Sequence, residues 1–479
     1  MNMVWLLFPI LLSQPAANSP GIHEVEWRQH QHIVFTIESP DSVIPREERK
    51  RELSKTVYGY YPYWMGTVYN DLQYDLLSHI AYFSVELYGN GTLGSIPNLS
   101  ILENLRNIAH SHGVYVVITT TQFDDATIES LLLSTAARTT AVNNLVNLAL
   151  THSLDGVSID FEFPTNTVKD SLTRFMAELT DSFHTHIAAS HVSIATPAVD
   201  WGNGFDYDQI ALHSDGLFIM AYNYYWSGSA YAGPVSPLPS SSLWGTYSVM
   251  WTVKDYIQHG IYTEKFILGC PYYGLRWPTQ DGNLHSATRG TGSALTYTRA
   301  ADSAAVHGKI WEDTSKTVWY KNYISGDGWY QGWFDDSLSL RLKYGVVIDS
   351  SLGGAGIWAL GYDGTKTELW GALRDAFYYT GIEEYSSNRN ALALFPNPAT
   401  GTVYLQYPWQ EHEEQMSIDI FDVAGRWVHQ IAVPAPCATP TLIIWNGKDS
   451  KGNHLPSGTY FYFLRTTMRT SAGSILFLH

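Results

Sequence analysis

From position 57 to 360 the chain repeats a two-part pattern, in which short apolar runs of strand length alternate with stretches whose apolar residues recur every three or four positions. The strand-like runs are Val57–Tyr61, His79–Val85, Val114–Thr119, Leu154–Pro164, Val192–Thr196, Gly216–Tyr222, Lys265–Cys270 and Ala355–Leu360. Between them, Leu102–Ala109 and Leu145–Leu150 carry helical spacing. Eight strands alternating with helices predict an α/β fold, a (β/α)8 TIM barrel over 56–380, with its chemistry at the C-terminal ends of the strands. The long connection between Cys270 and Ala355 contains two strand-like runs, Lys309–Glu312 and Thr317–Tyr320, and predicts a small insertion between strands seven and eight that walls one side of the cleft.

The ends differ from this middle. Val4–Leu12 is apolar, too short to span a bilayer and followed by small residues, so 1–17 is expected to be a secretory signal peptide and the protein to be secreted or held at a bacterial cell surface. Residues 18–55 show no clear period and include the charge run Arg46–Arg51; they are expected to form an arm packing loosely on the barrel. After Tyr379 a polar linker, 381–390, leads to β-rich segments over 391–479 that predict a small all-β sandwich. Cys270 and Cys437, the only cysteines, fall in different expected domains and are read as buried thiols rather than partners.

One run carries chemistry. In Leu154-Asp155-Gly156-Val157-Ser158-Ile159-Asp160-Phe161-Glu162-Phe163-Pro164, strand alternation puts Val157, Ile159, Phe161 and Phe163 on one face and Ser158, Asp160 and Glu162 on the other. Two carboxylates on one face repel, which tends to keep one proton between them at neutral pH. The bland alternative is a barrel strand with a few solvated acids at its mouth.

The run resembles the Asp-Gly-x-Asp-x-Asp-x-Glu signature of glycoside hydrolase family 18, the chitinase family, with Asp155, Gly156, Asp160 and Glu162 on matching positions. Val57–Trp64 resembles that family's first strand, His79–Ser84 its second, Met220-Ala221-Tyr222-Asn223 its strand-six Met-x-Tyr-Asp element, and Gly356–Asp363 its eighth strand with a subsite tryptophan. The resemblance implies substrate-assisted hydrolysis of β-1,4-linked N-acetylglucosamine polymers (chitin, chito-oligosaccharides or peptidoglycan), with no cofactor and no metal. In that scheme Glu162 is the general acid, Asp160 holds the acetamido N–H, and Tyr222 donates to the acetamido oxygen. Trp358 would floor the cleaved sugar, and Tyr60, Ser158, Met220 and Asn223 would complete the substrate site. For the aromatics among these, packing in the barrel core is the competing explanation.

Three positions depart from the family pattern: Ser158 replaces an Asp, Asn223 replaces the Asp after the strand-six tyrosine, and Ile118–Phe123 stands where many members have Ser-x-Gly-Gly. They move the chain toward the branch that includes spore-cortex and other peptidoglycan-directed members. The tail segments Leu394–Ala399, Ile418–Arg426 and Leu455–Tyr462 resemble a type IX secretion C-terminal sorting domain, which implies that secretion machinery as a partner; a flagellar-hook-cap type sandwich carries a similar pattern.

Composition narrows the partners. With 28 basic and 45 acidic residues the net charge is −17, which disfavours nucleic acid and anionic lipid. An uncharged polymer suits it better, and the 17 Trp and 32 Tyr supply rings on which sugar faces can stack. The alternative function is a catalytically silent, sugar-binding member of the same fold, against which the retained Glu162 speaks. A metal-dependent polysaccharide deacetylase is weaker still, because the 18 histidines are scattered.

Overall fold

The computed structural model describes residues 20–49, 53–259, 262–378, 393–395, 399, 401–407, 416–423, 425–433, 441–466 and 470–477. They form two compact units, divided between Tyr379 and Thr380. The expected signal peptide and linker lie outside the described residues.

In the first unit, helix α1 (Ile22–His30) precedes seven barrel strands: β1 (Thr56–Pro62), β2 (His79–Glu86), β3 (Tyr115–Gln122), β4 (Gly156–Phe161), β5 (His191–Pro197), β6 (Gly216–Met220) and β7 (Phe266–Pro271). The insertion follows as β8 (Tyr273–Thr279), β9 (Ser293–Thr296), β10 (Ile310–Glu312), β11 (Thr317–Ile324) and β12 (Gly328–Phe334). Strand β13 (Gly354–Trp358) then returns to pair with both β7 and β1, closing a parallel eight-stranded barrel. The outer layer holds α2 (Leu99–Ser111), α3 (Asp125–Leu133), α4 (Thr135–Thr151), α5 (Lys169–His186), α6 (Tyr207–Leu212), α7 (Val249–His259), α9 (Ser337–Asp349) and α10 (Glu368–Phe377), with α8 (Tyr297–His307) packed on the insertion. The expected Lys309–Tyr320 hairpin is present as the antiparallel pair β10–β11, within a five-stranded sheet.

Alternation in β4 sorts its residues as the sequence implies. Phe161 turns outward to stack on Phe175 of α5, while Ser158 turns inward to Tyr60. Both faces are buried, one under helices and one in the barrel. Gly156 permits the tight pairing of β4 with β5, since a Cβ there would stand 1.9 Å from the His191 carbonyl oxygen. Asp155 is structural: just before β4, it accepts from Arg46 Nε (3.1 Å), His110 Nε2 (2.9 Å) and the Val116 amide (2.7 Å).

The N-terminal arm does not pack loosely. Beyond α1 it runs extended along α2, with Ile33, Phe35 and Ile37 alternately turned onto the barrel core. Asn98, just before α2, accepts from the Phe35 amide, Asn104 donates to the Glu38 carbonyl, and Asn107 accepts from the Ile44 amide and donates to the Ser42 carbonyl. The arm therefore descends from the barrel's C-terminal mouth to the Asp155 end. Polar side chains that alone look like a solvated helix face instead satisfy the backbone of an extended strap, as buried or half-buried backbone groups require.

The second unit is all β. One sheet has the order β14 (Ala393–Phe395), β15 (Val403–Tyr407), β18 (Thr441–Trp445), and the other β17 (Trp427–Val433), β16 (Met416–Asp422), β19 (Gly458–Thr466), β20 (Thr470–Phe477). Ile418, Ile420, Trp445, Leu464, Ile475 and Phe477 build its core. Among the described residues no helix is long and apolar enough to cross a membrane.

Candidate active site

At the C-terminal mouth of the barrel, β4 delivers Asp160 and, one residue past its end, Glu162; the backbone after β6 delivers Tyr222, and β13 delivers Trp358. Asp160 and Trp358 are fully buried, Glu162 is 3% exposed and Tyr222 4%. Burial raises the Glu162 pKa well above the ordinary carboxylate range, and the charges of Asp160 and Glu24 push it further the same way. A carboxyl with a raised pKa is what a general acid requires. Burial likewise raises the Tyr222 phenol well above its usual value, keeping it a donor.

The other expected residues support this group. Tyr60 is fully buried, its hydroxyl 2.9 Å from Ser158 Oγ and its ring 5.7 Å from Trp358. The Asp-to-Ser departure therefore leaves a hydroxyl that pairs with a phenol. Asn223 adopts a left-handed backbone (φ 60°) and accepts from the Tyr273 hydroxyl at 2.5 Å; Tyr273 in turn packs its edge on Tyr222 at 5.9 Å. Asn223 thus reaches the cluster through Tyr273. Met220 ends β6 and is largely buried.

The arm supplies residues that sequence reasoning missed. His23 of α1 enters the mouth and is fully buried, with Nδ1 2.8 Å from Asp160 Oδ2 and Nε2 2.8 Å from the Tyr222 hydroxyl. The tautomer that satisfies both contacts carries its proton on Nδ1, donating to the Asp160 carboxyl oxygen, and accepts from the Tyr222 hydroxyl at Nε2. The imidazole stacks on Trp358, ring centroids 3.6 Å apart. Glu26 Oε2 accepts from Trp358 Nε1 and from the Tyr362 hydroxyl, each at 2.9 Å, and burial raises its pKa to about 7. Trp27 packs near Phe123 and His30 stacks on Trp64. His23, Glu26, Trp27 and His30 stand at i, i+3, i+4 and i+7, one helical face, and that spacing is the signal that could have found them.

His23, Asp160 and Glu162 each offer a ligand atom within 4.8 Å of the others, a grouping that could hold a cation. The 2.8 Å contact between His23 and Asp160, however, is a hydrogen bond with a proton where a cation would sit.

A parallel β/α barrel with buried acids and aromatics at its C-terminal mouth has the architecture of a barrel enzyme with its active site on that face. The description Glycosyl hydrolases family 18 matches residues 56–363, and the chain belongs to that family. The description FlgD Ig-like domain matches residues 397–467. The chain is 28% identical over 254 residues to YdhD of Bacillus subtilis (strain 168), a match spanning 51% of this chain and 56% of that protein. It is 27% identical over 302 residues to the di-N-acetylchitobiase of Homo sapiens, covering 56% of this chain and 74% of that one. Among solved structures, the Ostrinia furnacalis Group IV chitinase in complex with allosamidin superposes with a TM-score of 0.60 at 16% identity, over 67% of this chain and 98% of that one. The spore cortex-lytic enzyme SleL of Bacillus cereus superposes at 0.59 with 17% identity, over 70% and 77%.

Proposed function

We propose that the chain is an exported glycosidase that cleaves β-1,4-linked N-acetylglucosamine polymers with retention, using the substrate's own acetamido group as nucleophile. The observation that carries this reading is the convergence of Glu162, Asp160, Tyr222 and Trp358 at the barrel mouth, buried together around one imidazole. Asp160 and Glu162 project from one strand face and cannot flank a sugar, so the usual pair of opposed carboxylates is missing. An acetamido oxygen, held by Tyr222, would attack the anomeric carbon while Glu162 protonates the leaving oxygen. Asp160 would hold the acetamido N–H and stabilise the oxazolinium ion, and Glu162 would then deprotonate the water that opens it. The names of the relatives, which include a chitobiase and a spore cortex-lytic enzyme, support this substrate class.

The second unit is proposed as a sorting module for type IX secretion, supported by the tail segments quoted above and by its Ig-like fold. Mass spectrometry after incubation with chitin oligomers, purified peptidoglycan and cellulose oligomers, prolonged enough to register turnover a hundredfold suppressed, tests the reading. Products are expected from one of the first two substrates and none from cellulose, which lacks the acetamido group; comparable cleavage of cellulose would sink the mechanism.

A further inference from the structure

The cleft that should receive a sugar is filled by the chain's own α1. We propose that residues 20–38 are an intramolecular inhibitor, with the His23 imidazole standing in for the substrate's acetamido group, so that the full chain is latent until α1 leaves the mouth. This rests on the reading above, in which Asp160 accepts from the acetamido N–H and Tyr222 donates to the acetamido oxygen.

The donor and acceptor order matches. An acetamido group presents one N–H donor and one oxygen acceptor; the imidazole presents Nδ1–H to Asp160 and Nε2 to Tyr222, both at 2.8 Å. Its plane lies 24° from that of Trp358, so it covers the surface on which a sugar face would stack. Glu26 takes the Trp358 indole N–H as well. A Cβ at Gly21 would stand 2.1 Å from Glu162 Oε2, so glycine is what lets the start of α1 reach the general acid. The amides of Gly21 and Glu24 face that carboxyl and favour its charged form, opposing the effect of burial. General acid, acetamido holders and sugar floor are thus all occupied at once.

The helix depends on the cleft in turn. At 9 residues it is too short to be stable alone in water, and Arg28 and Gln29 on its other face are exposed. Its order therefore comes from the face that enters the mouth. The strap along α2 tethers it, and a short tether supplies an effective concentration of about 1 mM, so an intrinsic Kd of about 10 μM would suppress activity roughly a hundredfold. Cutting the strap removes that advantage.

The test uses the full chain with a specific protease site inserted between Asp41 and Ser42, both exposed. Hydrolysis of an N-acetylglucosamine pentamer is measured before and after cutting and dilution, and pentamer binding is measured in the same chain carrying Glu162→Gln. Cutting is expected to raise both turnover and affinity at least about tenfold, and a synthetic peptide of residues 20–38 should restore inhibition while its His23→Ala form should not. Tighter binding without any turnover would sink the glycosidase reading and leave the inhibitor standing. Unchanged binding after the segment has been shown to dissociate would overturn the inhibitor. Should the cut chain lose its fold by circular dichroism, the uncut His23→Ala/Glu26→Ala chain decides: affinity at least about fivefold higher upholds the proposal, and unchanged affinity ends it.

Discussion

Glu26 on α1 binds the indole N–H of Trp358 on β13 at 2.9 Å, joining a residue of the arm to the residue expected to floor the cleaved sugar. The same carboxyl oxygen takes the Tyr362 hydroxyl, and Tyr273 lies near enough to feel its charge. No cation is among these neighbours, and burial is why the Glu26 pKa rises from 4.5 to about 7.

That shift makes docking pH-dependent. Glu26 in water would titrate near 4.5 and docked near 7, so the docked state binds more protons between these values. The stabilisation it gives docking is fully present below about 4.5 and is lost as pH rises through about 7. Hydrogen exchange of the Val25–His30 amides should therefore be slower, after correction for intrinsic rates, at pH 5 than at pH 8, and Glu26→Gln should flatten the difference. Equal protection at both values would contradict it.

Glu162→Gln should leave the fold intact and slow hydrolysis at least about a hundredfold, the common scale for losing a general acid. The measurement is turnover of an unactivated chito-oligosaccharide by the cut chain and its variant, with circular dichroism as the check on folding. Unchanged turnover would remove Glu162 from the role.

Lys343 of α9 pairs with Asp335, both side chains 1% exposed, and burial raises the Asp335 pKa to about 6 against the opposing pull of Lys343. Removing one partner strands the other. Lys343→Met should cost about 3–5 kcal/mol in urea unfolding, whereas Lys343→Met/Asp335→Leu should recover most of it. Equal losses in both variants would show that the ion pair itself, not the stranded charge, sets the cost.

A chain ending after position 385 should fold and, once cut between Asp41 and Ser42, hydrolyse soluble oligosaccharides as fast as the full chain cut at the same place, because each unit has its own apolar core and the division falls at Tyr379. In a host with the matching secretion system, export or surface retention should fail instead. Loss of hydrolysis by a folded, truncated chain would show that the second unit helps to build the site.

The sequence by itself determined the barrel and the chemistry of one strand. Period-two alternation in β4 fixes which residues face inward, since a pleated strand has no other way to place Ser158 and Asp160 together, and the eight apolar runs match the eight barrel strands to within a few residues. Only the tertiary structure decided what Asp155 does, because its three donors come from the arm, α2 and β3, distant in sequence. It also decided the fate of the arm. Residues 20–49 show weak periodicity because a short helix and an extended strap draw their order from surfaces elsewhere, the barrel mouth and the Asn104–Asn107 face of α2. The spacing of His23, Glu26, Trp27 and His30 marks a helical face, but what that face meets is set only when closure of the barrel brings Asp160, Tyr222 and Trp358 around His23.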